Sequence, residues 1–325
     1  MGRLVDGAWF TDDELDDDGR TREPTTFRNA IGTETYPIES GRYHLYVSRA
    51  CPWAHGAVLV RKLLGLEEAI SMDVVDPHRR TDGWEFTPEK DGCTPDTETG
   101  ADYLRDVYTT ADPTYTGRVT VPVLWDRETE TIVNNESIEI MRTLADAYAE
   151  EAGVDRYPDA LREEIDATVD DLYGSINTAV YRAGFADSQS TYETAVAELF
   201  DALERWEDVL AERRFLVGNR LTLADLRLFA TLVRFDAVYH THFKCNTRAL
   251  VEYPDLWDYT RDVFQHPGVA ETVNLEHVKE HYYRSHTDIN PTGFVPAGPD
   301  REFAAPHDRD ALDASTDTES NAASN

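Results

Sequence analysis

The sequence predicts two domains, an α/β domain followed by an all-helical one, and three observations carry that prediction. Between 43 and about 150, short β-like runs (YHLYV at 43–47, ISMDVV at 70–75, VPVLW at 121–125, TIVN at 131–134) alternate with helical stretches at 52–64 and 136–150. From about 158 the strands stop, and Val196, Leu199, Phe200, Leu203, Trp206 and Leu210 recur at helical spacing. Between the two regimes Gly153 and Pro158 interrupt the pattern, placing the boundary within Glu151 to Pro158.

Taken in order, residues 1–39 read as an N-terminal arm, whose DDELDDD at 12–18 has six acids in seven positions and is expected to be exposed. Residues 40–152 form the α/β domain. Residues 153–296 form the helical domain, and its best-marked helix starts in RLTLADLRLFATLVRF, where Thr222 is a good N-cap and Asp225 stands three residues on, as a capping box requires. Leu221 and Leu226 occupy the staple positions, and Leu228, Phe229, Leu232, Val233 and Phe235 make the helix apolar on most faces, so it is expected at the domain's buried centre. The tail, 297–325, is rich in Ala, Asp, Ser and Thr and is expected to be disordered, because little apolar surface offsets the entropy of ordering it.

The formal net charge is −32, and of 31 basic residues only Lys62, Lys90, Lys244 and Lys279 are lysine, leaving 27 arginines. Such an acid-rich, lysine-poor chain fits work in high salt, where short Debye lengths screen self-repulsion. It argues against nucleic acid as a partner. No apolar run approaches the roughly 18 residues of a membrane span, and the first residues lack the apolar core of a signal peptide, so a cytoplasmic protein with no membrane partner is expected. Three scattered cysteines, Cys51, Cys93 and Cys245, form neither a disulfide framework nor a zinc pattern.

Cys51 carries the chemistry. It follows the apolar run 43–47 and opens a helical stretch, so it meets the positive end of a helix dipole and unpaired backbone N–H groups, both of which favour thiolate over thiol. Pro52 suits the first helical position, where its missing N–H has no helical partner. Because Ala54 stands where a CxxC motif carries its second thiol, an oxidised Cys51 needs an external thiol to release it, by way of a mixed disulfide.

An α/β domain with a cysteine at a strand-to-helix junction, followed by an all-helical domain with a capped central helix, resembles a glutathione transferase: a thioredoxin-like N-terminal domain and an all-helical C-terminal domain. CPWAH (51–55), GWEF (83–86), DPTYTGRVTVPVLWD (112–126), NNES (134–137), VRFDAVYHTHFKCN (233–246) and HYYRSH (281–286), in this order, resemble the glutathionyl-hydroquinone reductases, the Xi class. The resemblance spans about 40–296 and implies an enzyme with Cys51 as its nucleophile. It also implies a co-substrate thiol, glutathione or γ-glutamylcysteine, the latter being the thiol associated with extreme halophiles.

The thiol-binding residues it implies are Trp84, Val121, Glu136 and Ser137. Val121, ahead of an expected cis Pro122, would offer its backbone to the cysteinyl part. Glu136 and Ser137, at a helix start, would take the γ-glutamyl end. Tyr181 and Tyr282, with Tyr239 a weaker candidate, would reach over the nucleophile from the helical domain and hydrogen-bond the ring oxygen of the departing hydroquinone. The other expected partners are quinone conjugates and a second copy in a homodimer.

One departure from the family pattern is Gly56, where an arginine is usual. His55 could tune the nucleophile, and His277 with His281, four apart on a helix, could share a metal, but packing and surface roles fit them better and no metal is expected. Two further readings remain open, an omega-like thiol transferase or dehydroascorbate reductase and a non-catalytic transferase-like scaffold.

Overall fold

In the computed structural model, residues 2–11 and 26–312 are described; the acidic run at 12–18 and the tail beyond 312 lie outside them. Two compact units emerge, one of Met1–Asp155, Glu276–Thr287 and Gly293–Val295, the other of Arg156–Leu275, Asp288–Thr292 and Pro296–Asn325.

The first unit begins with a hairpin where only an arm was expected. Strands β1 (Arg3–Val5) and β2 (Ala8–Phe10) are antiparallel, and β1 also pairs with β5 (Gly117–Arg118). Their two-residue turn is Asp6-Gly7, with φ of 48° and 75°, a pair suited to the primed turns that match strand twist. A Cβ at Gly7 would stand 2.1 Å from the Pro113 carbonyl oxygen, so the turn needs glycine for space as well as for conformation.

The main sheet has four strands among the described residues. Strand β3 (Tyr43–Val47) is buried at every residue between β4 (Ile70–Val74), parallel to it, and β6 (Val123–Asp126), antiparallel; β7 (Thr131–Asn134) completes the edge. A parallel neighbour requires a crossover, and α1 (Pro52–Leu63) supplies it. Helix α1 packs on α3 (Ser137–Ala152). Gly56 sits at this contact, where an added Cβ would meet the Met141 sulfur at 2.4 Å, so a side chain at this position competes with methionine for the same space. A short helix, α2 (Leu104–Ala111), has apolar spacing confined to Leu104, Val107 and Tyr108, too brief a signal to read from sequence.

The second unit contains α4 (Arg162–Leu172), α5 (Ala179–Gly184), α6 (Gln189–Glu212), α7 (Leu223–Arg234) and α8 (Pro254–Gln265). Every residue of α7 is buried. The Asp225 carboxylate accepts bonds from the Thr222 N–H (2.8 Å), the Thr222 hydroxyl (3.0 Å), the Leu216 N–H (2.9 Å) and the Tyr259 hydroxyl (3.0 Å), so the capping residue also ties α8 to the start of α7. Wide π-helical turns at Tyr173–Asn177 and Phe235–Tyr239 interrupt the helical run after α4 and α7.

Two expectations are corrected. Residues 297–312 are packed rather than disordered: Phe303 is buried against Trp257 and Phe264, Arg301 bonds Asp236 at 2.8 Å, and buried Arg309 donates to the Arg214 carbonyl at 3.0 Å. Composition misled because three anchoring side chains, not average hydrophobicity, hold the segment. The helix that closes the expected second domain, α9 (Leu275–Ser285), packs with the first unit for nearly its whole length, for reasons that lie in the site.

Two outcomes are expected. Gly56→Ala gains about 1 kcal/mol of helix propensity but overpacks the helix contact by roughly 1–3 kcal/mol; chemical denaturation should show a net loss, and a net gain would refute the packing role. Burial, with Lys244 adding to it, pulls the His242 imidazole down to about 4 from its ordinary 6.5. Unfolded chains therefore take up this proton first, and stability should fall as pH drops from 6.5 towards 4. His242→Gln should flatten that part of the stability profile, and an unchanged slope would contradict it.

Candidate active site

The nucleophile's position follows from the end of β3. After Val47 the chain turns through buried Ser48, whose carbonyl accepts the Cys51 N–H (3.1 Å) and whose hydroxyl accepts the Ala50 N–H (3.3 Å). Cys51 is the N-cap of α1, with Pro52 at the first helical position, and the His55 N–H donates the first helical bond back to the Cys51 carbonyl at 3.0 Å. The first turn holds no acidic residue, whereas Arg61 and Lys62 lie in the last, so no nearby helical carboxylate opposes the dipole at the sulfur. Cys51 is 7% exposed, and its Sγ lies 3.8 Å from the carbonyl oxygen of Val121. The Val121–Pro122 peptide is cis.

The other two cysteines are differently placed. Burial pushes the Cys245 thiol up to about 12, and half-buried Cys93, 3.7 Å from the Val75 carbonyl, is also pushed up by burial. His55 is buried within α1.

Glu136 is the N-cap of α3 and Ser137 its first residue. The Asn134 side chain shapes the approach, its oxygen accepting the Glu136 N–H at 2.7 Å while its amide donates to the Asn29 carbonyl (2.9 Å) and to Glu139 (3.0 Å). Arg28 pairs with the same Glu139 carboxylate. The sixteen residues of α3 thus present their positive end at Ser137.

Trp84 is buried in a stack. One neighbour is the His281 ring, 5.2 Å away and inclined by 20°; another is the Arg79 guanidinium, 5.5 Å from the indole centroid. His281 lies on α9, next to Tyr282, whose ring stands edge-on to it at 5.2 Å. The imidazole donates from Nδ1 to the Pro77 carbonyl at 2.7 Å, and His277 donates from Nε2 to the Asp91 carbonyl at 2.8 Å. Lys90 bridges Asp76 and Glu280, both at 2.7 Å, and the Ser285 hydroxyl accepts the Arg79 N–H at 3.0 Å.

These bonds dock α9 on the 76–91 segment, so Tyr282 belongs to the same unit as Cys51, not to the helical unit as expected. The histidine pair, a possible metal site on spacing alone, instead bonds two backbone carbonyls. Among the described residues no group of three or more metal-ligating side chains could hold a metal ion.

Cys51, Trp84, Val121, Glu136, Ser137 and Tyr282 therefore share one unit. Tyr181 and Tyr239 belong to the other, their rings 6.0 Å apart in an aromatic cluster with Phe243 and Phe185. Sequence reading missed the anchoring role of His281, which was visible only as a neighbour of Tyr282.

Residues 50–147 match the family Glutathione S-transferase, N-terminal domain, and 179–262 match Glutathione S-transferase, C-terminal domain. The chain is 47% identical to the glutathionyl-hydroquinone reductase YqjG of Escherichia coli, over 95% of this chain and 99% of that protein. The solved Xi-class transferase from Natrialba magadii superposes with a TM-score of 0.92 at 54% identity, covering 96% of this chain and 97% of that one. The glutathione-bound structure of YqjG gives 0.87 at 45% identity, covering 95% and 99%. No helix among the described residues is long and apolar enough to cross a membrane.

Alkylation of the native protein with iodoacetamide, followed by peptide mapping, should label Cys51 first and leave Cys245 unmodified. Faster labelling of Cys245 would contradict the assignment of the reactive thiol.

Proposed function

The chain belongs to the glutathionyl-hydroquinone reductases, the Xi class of the glutathione transferases, and from that premise we propose that it removes a small thiol from S-conjugated hydroquinones through a mixed disulfide at Cys51. The observation that carries this reading is a cysteine at the N-cap of α1 with its sulfur beside the Val121 carbonyl. A nucleophile placed so can attack a sulfur whose own peptide runs along Val121.

In the first step the Cys51 thiolate attacks the conjugate sulfur. An S–S bond forms, the bond from sulfur to the ring breaks, and its electron pair stays with the ring carbon, which takes a proton and leaves as the hydroquinone. A second thiolate then attacks the mixed disulfide, leaving with the first thiol as a disulfide and restoring Cys51. Two electrons pass from the two thiols to the ring, so the ring is reduced and the thiols are oxidised. Tyr282, in the unit that carries Cys51, and Tyr181 are the candidates to hydrogen-bond the ring oxygens and orient the ring as it leaves.

Glutathione is the co-substrate thiol of the family reading, and γ-glutamylcysteine is the alternative for a chain adapted to high salt. Both share the γ-glutamyl and cysteinyl parts, which Glu136, Ser137, Trp84 and the Val121 backbone would hold. The Val121 carbonyl 3.8 Å from the Cys51 sulfur supports the backbone contact, since it puts this backbone beside the nucleophile. The charge of −32 with arginine as the main cation supports a halophilic enzyme, and the cytoplasm is the location proposed for it. A homodimer is the assembly proposed, checked by light scattering in concentrated salt, where a monomer mass would contradict it.

Intact-protein mass spectrometry of wild type and Cys51→Ala tests the chemistry. After mixing with glutathionyl- or γ-glutamylcysteinyl-hydroquinone, wild type should gain one thiol adduct, release hydroquinone and turn over when more thiol is added. Cys51→Ala should do none of these. Release by the mutant at the wild-type rate would overturn the mechanism, and the preferred conjugate identifies the thiol.

A further inference from the structure

We infer that the Tyr108 hydroxyl, with the Asn135 amide, is a positioning device that fixes the distance between the two backbone loops of the thiol site; this rests on the reading of Val121, Glu136 and Ser137 as that site. Tyr108 is fully buried on α2, with its ring held by Phe27 (6.2 Å, edge-on) and Tyr115 (5.1 Å). Its hydroxyl donates to the Thr120 carbonyl at 2.9 Å and accepts from the Thr120 N–H at 3.3 Å and from the Asn135 amide at 3.1 Å. One donor and two acceptor positions are all that a hydroxyl has, and here all three are used. Burial pushes the phenol up, so it keeps its proton.

The two partners are the residues immediately before the proposed ligand contacts. Thr120 precedes Val121, and Asn135 precedes Glu136 and Ser137. Neither loop pairs with the other in the sheet, since Thr120 lies ahead of β6 and Asn135 follows β7. The Asn135 carboxamide oxygen is buried with no hydrogen-bond partner, so this side chain is held through its amide nitrogen by Tyr108. Removing one oxygen atom therefore releases Thr120 and Asn135 together while the aromatic packing stays.

The test is Tyr108→Phe in the full-length protein, with Ser137→Ala as the control for the site itself. Hydrogen-exchange mass spectrometry should show faster exchange at 117–124 and 132–140 and none at α6. The KM for the releasing thiol should rise about tenfold, the scale of one hydrogen bond to a buried group, while kcat at saturating thiol changes by less than about twofold. Asn135→Ala should raise KM similarly, and the double variant no further than either single one, because both break one connection.

A Tyr108→Phe protein with lower stability but unchanged KM, in a background where Ser137→Ala does raise KM, would overturn the positioning role. If Ser137→Ala leaves KM unchanged, the thiol-site reading falls instead, and exchange alone decides. Faster exchange in both loops keeps the hydroxyl as their tie, whereas a change in only one or neither removes it.

Discussion

The complete burial of β3 is the constraint on which the rest depends. A strand paired on both sides, parallel to β4 and antiparallel to β6, has its register fixed twice, and its side chains are fixed by the packing around them. Its last residue is therefore a rigid starting point for the short turn to Cys51, and β6 on the other side sets where the Val121 loop ends. The 3.8 Å between sulfur and carbonyl is a consequence of β3 ending beside the start of its antiparallel neighbour β6. Arg42 reinforces this pairing just ahead of β3, reaching the buried Asp126 at the far end of β6 with two bonds of 2.7 Å. Burial pushes the Asp126 carboxyl up, but the bonds from Arg42 and Thr129 outweigh it and hold it below the usual carboxylate range.

Around that frame, long-range contacts do what local sequence cannot. The 76–91 segment has little regular structure, yet it carries Trp84. It is held in place by a helix about two hundred residues later, through two imidazole-to-carbonyl bonds, a lysine shared by two carboxylates and a ring stack. Imidazoles suit this task, because a neutral ring can donate one N–H to a buried carbonyl without bringing a charge into the interior. Trp84 and Tyr282, assigned to different halves of the reaction, are thereby supported by neighbouring faces of one residue, His281.

The arginine bias has a structural counterpart beyond solubility. Arg42 on Asp126, Arg214 on Asp262 and Arg127 on Glu98 are paired through more than one nitrogen, a geometry that lysine cannot reproduce. Where salt screens isolated surface pairs, forked pairs that are partly withdrawn from solvent retain more of their worth.

Much was legible from sequence because it depends on residues close together in the chain. The strands expected at 43–47, 70–75, 121–125 and 131–134, the helix at 52, the capping box at Thr222 and the cysteine at a helix start all follow from local periodicity and capping chemistry, although the third strand starts only at Val123, after the cis Val121–Pro122 peptide, and runs to Asp126. The Asp6-Gly7 hairpin was equally local but was hidden by the acidic run that follows it. Tertiary structure alone decided that α9 belongs with the first unit, that Phe303 and Arg309 anchor the tail, that Gly56 makes room for Met141, and that Tyr108 joins Thr120 to Asn135. Each pairs residues distant in sequence, and such pairs form only when the burial of many other side chains has already brought their backbones together.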